Sequence, residues 1–524
     1  MSSEQQDSYD ALPYLSNVMH YTQPYHIAAI AQLFGMNPPR PETARILELG
    51  CANGGNIVAT AHAFPQATCV GIELSARQVA MANGIIQHLD LKNIVVKQMD
   101  ILDFSEQEGM FDYIIAHGIY TWVTADVQEK ILRICQQHLN PNGIAYISYN
   151  TKPGWNMRGT IRDMMLYHTK SIKDPHEKVV QMRALWQFLA ETTQAGRDSY
   201  SLFLNEEFKL FAEFDESYLF HDFLEAENNP LYLHEFVEQA SAHDLVYVGD
   251  TYLHTMLASN FPPEIANTLS LFKDDLVHQE QYMDFLRNRH FRHSLLCHKN
   301  TPLQRAISAE RLINLYAVST LEEVQDTQVP AGKTVFANRL GNLVTDNPII
   351  IAGLHCLREQ FPQSMQLSDL VAQVKLRLPS DLVVDSATIE HNLADILLQV
   401  YTKGLIELHA CPLPFVITVS DKPKASTLAQ WRITQGIKAS NLRFETLTIE
   451  HPVGGLILPY LDGTRDRAAL IALLQEKVSS GELLFDVKKE GNEVELTAAQ
   501  AQTVLAQALE ESLQLLARSA MLVA

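Results

Sequence analysis

A chain of 524 residues is too long for one hydrophobic core and points to three or four domains. Its composition, 47% hydrophobic and 19% charged, is that of an ordinary soluble globular protein, and a formal charge of −21 excludes a nucleic-acid backbone as the leading partner. The cysteines (Cys51, Cys69, Cys135, Cys297, Cys356 and Cys411) are scattered, with no C-x-x-C pair, which argues against a structural metal or a disulfide framework and fits a reducing compartment.

The N-terminal run MSSEQQDSYD is polar and acidic, unlike a secretory signal. No apolar run approaches the ~18 residues of a membrane span, and PIIIAGLHCL from Pro348 is only core-length. A cytoplasmic protein without membrane insertion is expected. In YLSNVMHYTQPYHIAAIAQLFGMNPP, Tyr21 and Pro24 open a helix that either lids a ligand or packs ahead of a sheet. Strands and helices then alternate: RILEL, a helix over Asn56 to Phe64, CVGIEL, a helix over Ala76 to Leu89, IVVKQMD, FDYIIAHG, a helix over Val127 to His138, the turn LNPNG, and IAYISYN. This predicts an α/β domain over 1–160, a mostly parallel sheet with helices on both faces and ligands at the carboxyl ends of its strands. A helical segment follows over 161–214, then an aromatic- and histidine-rich segment over 215–300. Helical spacing at Leu367 to Leu376 and Ile389 to Lys403, followed by GLIELH, reads as a winged-helix-like unit over 301–420. SDKPKAS reads as a linker, and LDGTRDRAALIALLQ with LTAAQAQTVLAQALEESLQLLARSAML as a second winged-helix-like unit over 427–524.

The stretch ILELGCANGGNIV carries Glu48, Gly50, Ala52, Gly54 and Gly55 where the first strand meets a helix. Small residues let backbone approach a ligand. No G-K-[ST] follows, so a phosphate-cradling loop is disfavoured, and G-x-G-x-x-G maps only imperfectly onto Gly50, Ala52 and Gly55. A ligand-free tight turn also fits. Glu73 ends the second strand, where an acid can accept hydrogen bonds from both ribose hydroxyls. That favours a nucleoside and leaves a dinucleotide open. Asp100 ends the third strand, placed for an adenine amino group, with Ile101 to cover the ring.

Acids after three successive strands, followed by FDYII and by LNPNGIAYIS, resemble the class I S-adenosylmethionine-dependent methyltransferases. The resemblance implies a Rossmann-like sheet, with Glu48 near the cofactor's amino group, Gly50 to Ala52 along its methionine backbone, Glu73 on ribose, and Asp100 and Ile101 at adenine. Ala52 stands where the family often has Gly. Tyr21, Cys51, Asn56, Leu74, Gln78 and His117 complete the expected cofactor site. A sulfonium donor requires no metal and no covalent intermediate; alignment, a dry pocket and a route for a proton suffice.

The acceptor should lie beyond strands four and five, which continue as HGIYTWV and SYNTKPGW. An Asn/Asp-Pro-Pro-Tyr motif is missing there, which weakens base or glutamine methylation. Aromatic walls can hold an ammonium and His117 can orient a donor or accept a proton. His117, Tyr120, Trp122, Tyr149, Asn150 and Trp155 are the expected catalytic-side residues, although Tyr120 and Trp122 also read as core aromatics.

TQPYHIAAIAQLFGMNPP, ILELGCANGGN, FDYIIAHGIYTWV, ISYNTKPGW and RGTIRDMM together resemble bacterial methyltransferases that carry a methyltransferase regulatory domain, of which the best understood are lysine methyltransferases of outer-membrane proteins. YLFHDFLEAENNPLYLHEF and QYMDFLRNRHFRHSLLCH are similar to that regulatory domain, and the tail to the family's winged-helix part. The resemblance implies a protein or peptide acceptor bearing lysine, and suggests a homodimer, although no interface is legible. Methylation of a small amine or oxygen nucleophile, or a silent scaffold, are the alternatives. His221, Glu225, Asn228 and Asn229 read either as cleft lining or, preferably, as a hydrogen-bonded turn and helix cap. The run Arg287, Arg289, His290, Arg292 and His293 reads as a solvated or interdomain face, and Lys375 and Arg377 as partner surface rather than a DNA-reading helix.

Overall fold

The structure, a computed structural model, describes residues 10–524 except 15, 194–195, 326–328, 331, 383, 484–487, 490–491 and 494–497. The polar run over 1–9 and the start of the last helical stretch at Leu496 and Thr497 lie outside the described residues.

The strands are β1 (Arg45–Leu49), β2 (Thr68–Glu73), β3 (Ile94–Gln98), β4 (Phe111–Ala116), β5 (Leu139–Asn150), β6 (Leu245–Asp250) and β7 (Phe291–His298). They form one sheet in the order β3-β2-β1-β4-β5-β7-β6. The first five pair in parallel, while β7 runs antiparallel to both β5 and β6. Near-continuous apolar runs such as RILEL suit strands covered on both faces. The expected LNPNG turn is absorbed into β5. Its register against β4 jumps from Leu139 to Ile144, so Asn140 to Gly143 bulge between two paired stretches.

Helices α1 (Pro24–Leu33), α2 (Gly55–Ala63), α3 (Ala76–His88), α4 (Ala125–His138), α5 (Gly154–Thr169), α6 (Pro175–Thr193), α7 (Ser199–Phe211), α8 (Glu216–Phe223), α9 (Leu233–Ser241), α10 (Pro263–Leu269) and α11 (Leu276–Arg287) surround and extend it. Helix α1 is apolar almost all round and buried along nearly its whole length, as expected of a helix enclosed on every side. Its Tyr25 carbonyl accepts from Ala410 N at 2.9 Å, and its ring lies 4.7 Å from His409. Helix α1 therefore packs between the sheet and the C-terminal region and is not a lid.

The aromatic segment after 215 does not stand apart from the sheet, because it supplies β6 and β7. They are fixed by a buried charge cluster. Arg292, 1% exposed, donates from Nε and Nη2 to the two Asp284 oxygens at 2.7 and 2.8 Å, and from Nη1 to Glu280 Oε2 at 2.9 Å. Arg289 donates to Asp250 Oδ2 at 2.7 Å. The basic run is therefore divided: Arg287 and His290 are exposed, as a solvated or interdomain face requires, whereas Arg289 and Arg292 are acid-paired and Arg292 and His293 are interior. Alternation along β7 explains it: Arg292 points to α11, and His293 to the other face, where its Nδ1 lies 2.7 Å from Tyr146 Oη.

Beyond 300, a three-stranded antiparallel sheet (Tyr316–Ser319, Met365–Gln366, Ile406–His409) carries helices Pro348–Gln360, Leu367–Arg377 and Ser386–Thr402. The last unit holds helices Thr427–Thr434, Arg467–Ser479 and Ala498–Arg518. SDKPKAS is not a free linker: Lys424 N donates to Ala524 O at 3.0 Å, Val523 N to Lys424 O at 2.8 Å, and Ala425 is buried beside Leu522.

Replacing Arg292 with methionine strands two buried carboxylates. Breaking such a cluster from one side costs about 3–5 kcal/mol. Arg292→Met is therefore expected to lower the thermal unfolding midpoint clearly, and an unchanged midpoint would count against the cluster's role.

Candidate active site

One cavity of about 690 Å³ opens where β1 to β5 end. That is the rim where open α/β sheets bind ligands, and the volume suits a small-molecule cofactor plus part of an acceptor. Glu48, Gly50, Cys51, Ala52, Asn56, Glu73, Leu74, Gln78, Asp100, Ile101, His117 and Tyr21 all line it, so the expected cofactor residues are brought together around one space.

The loop after β1 is built for close approach. Gly50, Ala52 and Gly54 take φ of +66°, +48° and +80°. Ala52 is costly there, since a left-handed residue with a Cβ is disfavoured by about 1–2 kcal/mol. Its conformation is held by Glu73, whose Oε2 accepts from Ala52 N at 2.9 Å while Oε1 accepts from Ser75 N at 2.9 Å. Burial pushes the Glu73 carboxyl above its ordinary range, and these backbone donors pull it partly back. Asp100 accepts from Leu102 N at 3.0 Å, shaping the turn that presents buried Ile101.

Glu48 is 5% exposed. Its Oε1 accepts from Asn56 Nδ2 at 3.1 Å, while its Oε2 is buried without a partner. Burial, only partly offset by the Asn56 bond, pushes this carboxyl up to about 8. Asn56 itself sits in a buried polar knot, accepting from Gln23 Nε2 at 2.8 Å and Met19 N at 3.1 Å.

The residues that cover this loop come from the N-terminal residues 10–14 and 16–19 rather than from α1. Ser16 Oγ accepts from Gly55 N at 2.7 Å and donates to Asn53 Oδ1 at 2.7 Å. A Cβ on Gly55 would lie 2.0 Å from Ser16 O, so glycine is required for the strap to seat. The strap is tied at its other end to α8, where Ser217 Oγ donates to Pro13 O at 3.0 Å. Tyr14, Ser16, Asn17 and Met19 line the cavity. No motif in the sequence marked them.

His117 is half-buried, and loss of solvent around the ring lowers it to about 4, so it is neutral at physiological pH. Its Nδ1 lies 3.0 Å from both Tyr146 Oη and Ser148 Oγ. Trp122 and Trp155 meet edge-to-face at 5.8 Å and both line the cavity, and the Trp155 indole N–H is buried without a partner. Asn150 lines it too, donating to Asn228 Oδ1 at 3.1 Å.

Tyr120 and Tyr149 do not reach this space. Both are fully buried against Phe236, at 5.4 and 4.3 Å, with their hydroxyls bonded to Gln239 and Ser294. Tyr149 is out of phase with the cavity face of β5, which is formed by Tyr146, Ser148 and Asn150. His221 lines the cavity, but its ring is committed to Glu225 Oε1 and Leu12 O, each at 2.7 Å. Asn229 N donates to Thr121 O at 2.8 Å. The segment forms a hydrogen-bonded turn, but Leu224 and Tyr232 rather than these four residues cap the flanking helices, and of the four only His221 lines the cavity.

A cofactor rim of this build defines a class I methyltransferase fold that uses S-adenosylmethionine. Residues 42–197 match the family described as a methyltransferase domain, 215–298 the "Predicted methyltransferase regulatory domain", and 421–521 the "PKMT, C-terminal winged helix domain". The chain is 35% identical over 498 residues to the uncharacterised protein RP789 of Rickettsia prowazekii, covering 93% of this chain and 88% of that one. It superposes on PKMT2 from Rickettsia typhi in complex with AdoHcy with a TM-score of 0.86, at 30% identity, covering 98% of this chain and 100% of that one. A shorter match, 31% identical over 117 residues, is to trans-aconitate 2-methyltransferase of Deinococcus radiodurans, covering 22% of this chain and 42% of that one. The chain belongs to the S-adenosylmethionine-dependent methyltransferases that carry a methyltransferase regulatory domain and a PKMT-type C-terminal winged helix.

The residues present fit that cofactor. The orphaned Glu48 oxygen is a buried acceptor suited to an ammonium, and the Glu73 carboxylate keeps lone pairs for hydroxyl donors. An ammonium beside Glu48 would pull its raised pKa down, so binding of S-adenosylhomocysteine should release a proton at neutral pH. Affinity should rise with pH up to about 8 and then level, and Glu48→Gln should abolish that rise. Calorimetry in buffers of different ionisation enthalpy checks this, and binding without proton release would contradict it.

Proposed function

We propose that this methyltransferase N-methylates lysine side chains of a protein or peptide. The carrying observation is that the cavity continues past the cofactor rim into a chamber walled by Trp122, Trp155, Asn150, Arg158 and α8, between the sheet and the segment that completes it. Such a chamber admits a long side chain from outside, and its indole faces suit a cation. The likeness to PKMT2, a protein lysine methyltransferase by its name, supports the same acceptor.

When bound, the cofactor supplies an electrophilic methyl group on a sulfonium. The chain's own residues align and enclose it. Neutral His117 offers a hydrogen-bonding edge without placing a second positive charge beside the sulfonium. Tyr14, Ser16, Asn17 and Met19 of the strap and the buried tryptophans exclude water.

One observation favours a second reading, transfer to a carboxylate oxygen: Arg287 and Arg289 also line the cavity. Arg289 is already paired with Asp250, which weakens it. The two readings differ in the product. Methyl esters are lost in base, whereas N-methyllysine survives.

Incubation with methyl-labelled S-adenosylmethionine and a bacterial protein extract is expected to give base-stable label that hydrolysis returns as methyllysine. Base-labile label would overturn the lysine reading. Trp122→Ala is expected to lower kcat/KM roughly 5- to 30-fold, the scale of a desolvated cation–π contact, with cofactor affinity retained.

A further inference from the structure

The chamber's far wall carries a carboxylate that the cofactor rim does not use. Asp222 lies on α8, in the segment matched as a regulatory domain, and it lines the cavity with Tyr14, Tyr218, Trp122 and Trp155. Tyr14 and Tyr218 stand 6.5 Å apart, and the two indoles meet at 5.8 Å. An aromatic enclosure around a single acid is the arrangement that holds an alkylammonium: ring faces receive the methylene stem and the cation, and the acid accepts its N–H groups.

Basic groups that share the cavity with that acid have other partners, Arg287 among them, which donates to Thr255 O at 2.6 Å. Arg158 of α5 is paired with Glu207 of α7 at 3.2 Å and lies over the Phe211 ring at 4.9 Å. His221 is spent on Glu225 and the Leu12 carbonyl. Arg289, across the cavity, is paired with Asp250.

Resting on the lysine reading above, we propose that Asp222 anchors the cationic amine of the acceptor and so sets the enzyme's selectivity for lysine. The carboxyl is raised to about 6 by burial, against the Tyr218 hydrogen bond and the Arg158 and His221 charges. It is therefore mostly ionised at neutral pH and holds the entering ammonium, which must give up one proton to solvent through the open cavity before the neutral amine's lone pair can attack. On this account the "regulatory" segment supplies part of the acceptor site, and the cofactor-binding half alone is incomplete for transfer.

The test compares the full-length chain with Asp222→Asn, and with Asp222→Glu as the conservative rescue. The probes are labelled S-adenosylmethionine, a pool of lysine-centred peptides, and the same pool with arginine at the centre. Asp222→Asn is expected to lose about 10- to 100-fold in kcat/KM on the lysine pool, mainly through KM, the scale of a hydrogen-bonded charge contact. Its S-adenosylhomocysteine affinity should stay within about twofold, Asp222→Glu should recover part of the loss, and the arginine pool should remain poor throughout. Asp222→Asn methylating lysine peptides within about threefold of the unaltered chain would overturn the proposal while leaving the lysine reading intact. Equal loss of transfer and of cofactor affinity would also overturn it. If the unaltered chain binds cofactor and labels no lysine peptide, the lysine reading and the proposal fall together.

Discussion

The Glu73 carboxylate holds two pieces of backbone at once, and the site depends on that. One oxygen takes the amide of Ala52 in the loop after β1, and the other takes the amide of Ser75 at the start of α3. Without the first bond, Ala52 has no reason to keep a left-handed conformation that disfavours a Cβ. With it, the loop turns tightly enough for α2 to start at Gly55 and for Ser16 of the strap to seat on that glycine. A single acid at the end of β2 thus shapes the cavity floor, fixes the covering segment and keeps lone pairs for a ligand's hydroxyls.

The acceptor side depends on a different constraint, the completion of the sheet. β6 and β7 arrive from residues 245–298, about a hundred residues after β5, and the Arg292 cluster locks them against α11. That docking brings α8, the loop after β6 and the start of β7 over the cofactor rim. The chamber lies between the sheet's ligand-binding rim and the segment that also supplies its last two strands. On the proposed reading, the same docking sets both cofactor geometry and acceptor geometry.

Much of this was legible in the sequence, for local reasons. The first five strands and their helices follow from unbroken apolar runs alternating with helical spacing, and the rim acids stand at strand ends: Glu48 next to last in β1, Glu73 last in β2, and Asp100 just past β3. What was missed involves parity or distance. Tyr149 is one residue out of phase with the cavity face of β5, and Arg292 one residue out of phase with that face of β7, so neighbours in sequence serve opposite layers. The strap and Asp222 are joined to the rim only by tertiary contacts such as Ser217 to Pro13, which leave no periodic signal. Helix α1 read equally as a lid or as a packing helix ahead of the sheet; its nearly all-apolar surface was the sign of a helix enclosed by two domains.

The most direct test is an experimental structure of the chain with S-adenosylhomocysteine, in which the distance from Glu73 to the ribose oxygens is measured. The account predicts both hydroxyls within about 2.6–3.2 Å of the carboxylate, with adenine against Ile101 and its amino group at Asp100. A ribose held elsewhere, with Glu73 bonded only to Ala52 and Ser75, would contradict it.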